Sequence, residues 1–266
     1  MKSDITIILL LYKTPLRLIK NFEVFKDFNV IVLDQSNDSE FKKKLLKILP
    51  NINSYTLSKK NSGFAKGVNF LVKKVNTRFF FCTQADVNID KNSILKLKKT
   101  ILRDQKKTII AVPLINKKNI KKGIKEIEVK SMIGASFLCD KKKFIEIGMF
   151  DEDFFFYWED VELSNRIQNF NYKIYQNNRS RAFHQNSNSS MGGFKTDFIR
   201  YKNFIFGELL YDYKKNKTRF VKILRKFIKG FLLLFFNLIF FRLKNVNKSF
   251  AEIMGIFKFI KFFIKK

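Results

Sequence analysis

The chain has 266 residues, 46% of them hydrophobic, and a formal net charge of +30. Such a composition can bury enough apolar surface to fold, which excludes a disordered polymer, and the length suits one large α/β domain or one domain with an appendage. Part of the charge belongs to a general bias toward Lys, Asn, Ile and Phe, but its distribution is uneven: from Lys214 onward, 15 Lys and Arg stand against the single acid Glu252.

Ile5–Leu11 is almost wholly apolar, as a central parallel strand buried on both faces should be. The residues before it include Asp4 and lead to no small-residue cleavage site, so a strand is expected there rather than a signal peptide. Thr14-Pro15 reads as an N-cap followed by Pro at the first helical position, opening a helix to about Lys26. Val30–Leu33 is a second apolar strand and runs into Asp34-Gln35-Ser36-Asn37-Asp38. A helix from about Ser39 to Leu49 and a weak strand, Ser54–Leu57, follow. Asn61-Ser62-Gly63 turns the chain into a helix, Phe64–Val75. Arg78–Thr83 is a fourth strand, ending at Gln84-Ala85-Asp86; a helix over Asn92–Gln105 and a fifth strand, Thr108–Val112, stopped by Pro113, complete the rhythm. Strands alternating with helices at this spacing predict a parallel sheet covered on both faces. Polar clusters at the strand ends fall where open α/β sheets bind ligands. The two cysteines, Cys82 and Cys139, sit inside predicted strands and are expected to be free and buried, as suits a reducing cytoplasm.

Residues 116–130 break the rhythm and are expected to form a loop or hairpin over the site. Ser136–Cys139 then reads as another strand. Four aromatics, Phe154–Tyr157, and the only tryptophan, Trp158, lead directly to Glu159 and Asp160. Leu163, Ile167 and Phe170 recur at helical spacing, so a helix begins near Asp160. A carboxylate there is favoured as an anion by the helix N-terminus and opposed by desolvation among the rings, a balance suited to a general base. Taken alone, the same residues also describe a helix cap beside a core cluster, the commoner use of such acids. Tyr172–Tyr175 is a further strand, His184 is the only histidine, and residues 185–193 read as a polar loop.

From about Lys195 the character changes. Lys222, Arg225, Lys226 and Lys229 share one helical face against Val221, Leu224, Ile228 and Phe231. In the last helix Lys258, Lys261 and Lys265 oppose Ile253, Ile256, Phe257, Ile260, Phe263 and Ile264. The most apolar run, Phe231–Phe241, is well short of the ~20 residues needed to span a bilayer. Basic amphipathic helices rich in Phe are the pattern of segments lying on an anionic membrane surface; a core-packing or partner-binding helix pair is the plainer alternative. A division into residues 1–194 and a helical region, 195–266, follows.

Six blocks in order carry a resemblance: Asp34–Asp38, Asn61–Asn69, Ala85-Asp86-Val87, Gly134–Leu138, Phe150-Asp151-Glu152 and Trp158–Leu163, closed by His184. Over about Ile5–Ser190 the chain resembles the family 2 glycosyltransferases of the GT-A fold, an α/β fold with a Rossmann-like mixed sheet flanked by helices. It is most similar to the rhamnosyltransferase-like branch that builds bacterial surface polysaccharides. The resemblance implies an inverting transfer of rhamnose or another hexose from a nucleotide-diphosphate donor, with Asp160 as catalytic base. It implies donor contacts by Tyr12, Asp34, Asn61, Gly63, Phe64, Asn69 and Asp86. It also implies a divalent cation, Mg2+ or Mn2+, at Asp86 and His184, although the first acid of a full DxD motif is replaced by Gln84. Trp158 and Glu159 would meet a saccharide or polyprenyl-linked acceptor at the inner face of the cytoplasmic membrane. A catalytically degenerate scaffold on the same fold is one alternative. A nucleic-acid-binding protein is another, raised by the basic, aromatic-rich composition; its lysines are scattered over helices and no binding motif appears, so nucleic acid is not an expected partner.

Overall fold

The computed structural model describes residues 3–115, 124–184 and 193–265. The chain divides into two compact units, Met1–Asp151 with Asp160–Met191, and Glu152–Glu159 with Gly192–Lys266.

Among the described residues, the first unit is built on a nine-stranded mixed sheet. Its strands are β1 (Ile5–Leu11), β2 (Asn29–Asp34), β3 (Ile52–Leu57), β4 (Phe79–Thr83), β5 (Val87–Ile89), β6 (Thr108–Ile115), β7 (Glu126–Val129), β8 (Ser136–Asp140) and β9 (Lys173–His184). The order is β3-β2-β1-β4-β8-β6-β9-β5, with β7 pairing beside β9. The helices are α1 (Ser39–Ile48), α2 (Phe64–Lys73), α3 (Lys91–Arg103), α4 (Lys141–Glu146) and α5 (Glu159–Asn169). Because side chains alternate along a strand, β1 serves two layers. Ile5, Ile7, Leu9 and Leu11 join one core with the helices before and after β2 and with α3. Leu10 faces α2, where a side chain at Gly67 would meet it at 2.6 Å. The sheet is therefore covered on both faces.

β3, β2, β1 and β4 run parallel, so their carboxyl ends share one edge. Antiparallel β8 then joins β4 to β6, which makes the sheet mixed where alternation alone predicted a parallel one. The segment after Pro15 is a 3-10 helix, Leu16–Phe25, without a side-chain cap; buried Thr14 does not cap it, and its hydroxyl finds no partner among the described residues. Pro113 does not end β6. The strand continues to Ile115, and the pairing with β9 jumps from Pro113↔Asn177 to Leu114↔Arg181. Proline has no N–H for the ladder, and Asn177 Oδ1 accepts from Arg179 N (2.8 Å) and Ser180 N (3.1 Å), holding the extra residues as a bulge. The loop expected over residues 116–130 lies outside the described residues up to 123, and its remainder includes β7; the polar loop expected from 185 lies outside them up to 192. Both cysteines are free and buried.

Among the described residues, the second unit contains the segment 152–159 and three helices, α6 (Phe194–Lys214), α7 (Phe220–Ile239) and α8 (Leu243–Ile264). Phe154, Ile205, Phe206, Leu209, Leu210, Ile256 and Phe259 form its core. Gly255 brings α8 so close to α6 that an added Cβ would lie 2.5 Å from Lys202 O. No described helix is long and apolar enough to cross a membrane.

Candidate active site

The carboxyl edge of the parallel strands gathers the polar clusters. Leaving β2, Asp34 is buried, and Oδ1 accepts from Ser36 N (2.8 Å) and Ser36 Oγ (2.6 Å) while Oδ2 accepts from Tyr55 Oη on β3 (3.2 Å). A carboxylate has about four acceptor positions, and three of those of Asp34 are taken within this corner. Burial first, and then the neighbouring Asp34 carboxylate, push the Tyr55 hydroxyl far above its usual range, so it stays a donor. Tyr12 stands at the end of β1, half-buried, and the next N–H, Lys13, donates to Ser36 Oγ at 2.8 Å. The ends of β1, β2 and β3 are thus tied into one polar corner.

Gln35 was not singled out by the sequence, yet it organises the next loop. Its Oε1 accepts from Ser62 N and Ser62 Oγ, both at 2.6 Å, and its Nε2 donates to Gly63 O at 3.4 Å. Asn61 Oδ1 accepts from Gly63 N at 2.9 Å. Gly63 has φ +88°, a conformation suited to glycine, and directly precedes α2. The loop therefore presents backbone at a helix N-terminus, the geometry that receives phosphate oxygens. Asn69, expected at the donor, is buried within α2. Its amide donates to Phe150 O (2.8 Å) and accepts from Phe150 N (3.0 Å), clamping the block around Phe150 to α2. Phe64, at the head of α2, packs edge-on against Phe150 with centroids 5.6 Å apart.

Asp86 lies in the turn after β4 and is fully buried. The antiparallel pair Val87↔His184 between β5 and β9 carries the histidine alongside, with His184 Nε2 3.4 Å from Asp86 Oδ2. A hard divalent cation takes about six ligands at about 2.1 Å, so two donors at right angles on it stand about 3 Å apart. The observed spacing and the carboxylate–imidazole pair fit such an ion. Among the described residues no group of three or more His, Cys, Asp or Glu gathers.

Asp160, near the head of α5, is held from both sides. Oδ2 accepts from Gly134 N (3.0 Å) and Oδ1 from Val161 N (2.9 Å). Burial raises its pKa above the ordinary carboxylate value, and the N–H donors partly counter that rise. Ser164, one turn on, donates to Asp160 O (2.6 Å) and accepts from Met132 N (3.2 Å), fixing the loop before β8. The dipeptide Gly134-Ala135 joins the two acids: Gly134 N holds Asp160, and Ala135 O accepts from Gln84 N (3.0 Å) in the turn that carries Asp86. Asp34, Asn61, Gly63, Asp86, His184 and Asp160 all belong to the first unit.

Trp158 and Glu159 belong to the second unit. Tyr157 and Trp158 have φ of +71° and +73°, a conformation that costs bulky residues energy and tends to persist where surrounding structure fixes it. The Trp158 ring packs on Tyr211 and Phe204 of α6, with centroids 5.5 and 5.9 Å away, and Glu159 is buried.

The profile of the family described as Glycosyl transferase family 2 matches residues 10–163. No curated protein matches the chain significantly. Among solved structures the chain resembles GalNAc-T7 with UDP, GalNAc and Mn2+ (TM-score 0.59, 14% identity, 68% of this chain and 42% of that one). It also resembles the mannosyltransferase PcManGT from Pyrobaculum calidifontis in complex with GDP-Man and Mn2+ (TM-score 0.60, 11% identity, 80% and 65%). A third similar structure is S. aureus TarS (TM-score 0.57, 12% identity, 95% and 55%). The chain thus spans roughly half the length of these structures, which share its GT-A architecture. With more than half of its residues matched by the family profile, the chain belongs to glycosyl transferase family 2.

Proposed function

We propose that the chain is an inverting glycosyltransferase that moves a sugar from a nucleotide-diphosphate donor to a hydroxyl of an acceptor. The observation that carries this reading is Asp160, a carboxylate held by two backbone N–H groups, raised in pKa by burial, and tied through Gly134-Ala135 to the Asp86 turn. Asp160 takes the proton of the acceptor hydroxyl as its oxygen bonds to the anomeric carbon. The bond from that carbon to the diphosphate breaks, and its electron pair leaves with the nucleotide. The polar corner of Tyr12, Asp34, Ser36 and Tyr55 receives the nucleoside, and the loop Asn61–Gly63, braced by Gln35, lies against the diphosphate. Asp86 and His184 would hold Mg2+ or Mn2+, which when bound neutralises charge developing on the leaving group. GalNAc-T7 and PcManGT hold Mn2+ with UDP and GDP-Man respectively, which supports a metal-dependent nucleotide-sugar site here.

For the donor we put rhamnose on a dTDP carrier first, on the likeness of the motif blocks to the rhamnosyltransferase-like branch, with UDP-hexoses second. The acceptor is a saccharide carried on a polyprenyl lipid in bacterial surface polysaccharide synthesis, and the protein works on the inner face of the cytoplasmic membrane. The 195–266 region serves that placement. A catalytically degenerate scaffold on the same fold is the second reading, favoured by Gln84 in place of the first acid of a full DxD motif.

Thermal unfolding with a panel of nucleotides and nucleotide sugars, with and without Mn2+, tests the donor site, because a ligand of the folded state raises the midpoint. The expected result is a metal-dependent rise with one nucleotide family. No rise with any member of the panel would overturn the reading.

A further inference from the structure

α7 seats only a narrow stripe on its own unit. Gly230 and Asn237 are buried, and Ile223 and Phe227 pack partly on the core; these four recur at helical spacing on one side. Gly230 admits Ile253 of α8, which would stand 3.1 Å from an added Cβ. The opposite side is apolar where an ordinary surface helix is polar. Leu224, Ile228, Leu232, Phe235 and Ile239 form a continuous exposed stripe, the last three 63%, 62% and 54% exposed, and Phe241 in the turn beyond is 87% exposed. An apolar surface of that extent marks an interaction site.

Its charge says what it meets. Between Asp212 and Glu252 the sequence has no acid and 11 Lys and Arg. Arg225 and Lys229 are exposed beside the first half of the stripe, and Arg242, Lys244 and Lys248 are exposed just beyond its end. Phe231–Phe241, between those two groups, carries no charge. A surface apolar in its middle and cationic at both ends complements acyl chains beneath anionic headgroups. Eleven helical residues extend about 16 Å, about half of a hydrocarbon core of about 30 Å, so the segment can enter one leaflet without spanning the bilayer.

We infer that α7 and the turn after it are the membrane-inserting element, with Phe231–Phe241 among the acyl chains of one leaflet of an anionic bilayer and the five flanking cations at its headgroups. α8, which the sequence casts in the same role, spends Ala251, Ile253, Ile256 and Phe259 on packing inside its unit. The inference rests on the membrane placement proposed above and names the surface that makes it.

The test is co-sedimentation of the full chain with vesicles of phosphatidylglycerol and phosphatidylcholine, against vesicles of phosphatidylcholine alone. The native chain should prefer the anionic vesicles by about tenfold or more, a preference that falls with salt. A Phe235→Ser/Ile239→Ser double variant should bind the anionic vesicles at least about tenfold more weakly, with an unchanged thermal midpoint, because both side chains are exposed in the lipid-free protein. If the native chain binds and the variant binds equally, the membrane placement stands and the assignment of α7 falls. If the native chain binds neither vesicle, both fall. If the native chain is a lipid-free dimer that the double variant dissociates, the stripe is a contact between two copies and the inference is overturned. None of these readouts depends on sugar transfer.

Discussion

A carboxylate that removes a proton from an alcohol must be ionised yet basic, and Asp160 is set between those demands by opposed forces. Burial raises its pKa, and the N–H groups of Gly134 and Val161 pull it back part of the way. The balance has a sign. As pH falls through the raised value the base is protonated and transfer stops, so the acid limb of kcat/KM should lie above the ordinary aspartate range, and a limb at or below that range would contradict the role. Stability runs the other way. Because the folded-state pKa is the higher, this group's contribution is fully present below the unfolded value and is lost as pH rises through the folded one. The acids of the candidate site could be singled out in the sequence because each sits in a spaced block at a strand or helix end. Gln35 was not, since an amide that braces a neighbouring loop has no periodic signature. For Asn69 the motif gives the position, but only packing reveals that both ends of its amide are bonded to the Phe150 backbone.

At the scale of elements, α6 carries the strained pair Tyr157-Trp158. Gly207 is the point of closest approach, where an added Cβ would lie 2.9 Å from Tyr157 O and 3.0 Å from Trp158 Cδ1. The nearer atom is backbone and cannot rotate away, so Gly207→Ala should destabilise the protein by about 1–3 kcal/mol, read as a lowered midpoint in denaturant. An unchanged midpoint would mean that the segment yields easily and is not held by α6. Elements with a clean apolar signature, such as the unbroken runs of β1 and β4 and the helical period of α3, were readable directly. The exceptions have local causes. The 3-10 helix after Pro15 has no side-chain cap to fix an α-helical start. The twelve-residue β9 hides behind Gln176–Arg181, polar residues that make its bulge and pair with no apolar alternation. β5 is only three residues long, too short to show a period, yet it is the strand that sets His184 beside Asp86.

Across the whole molecule, the chain leaves the first unit at Glu152 and rejoins it at Asp160, so eight residues of the aromatic stretch belong with the C-terminal helices. Sequence periodicity could not show that exchange, because contiguous residues carry no sign of which core receives them. The uneven charge was visible from the start. In the proposed membrane reading it acts together with the exposed apolar side of α7, while the acids proposed for sugar transfer lie in the first unit. The measurement that bears most directly on the account is single-turnover transfer by Asp160→Asn, with donor binding followed in parallel by thermal shift. Removing the base should lower transfer by about 10²- to 10⁴-fold and leave the donor's stabilising shift in place. Transfer near the native rate with the donor still bound would show that Asp160 is not the base.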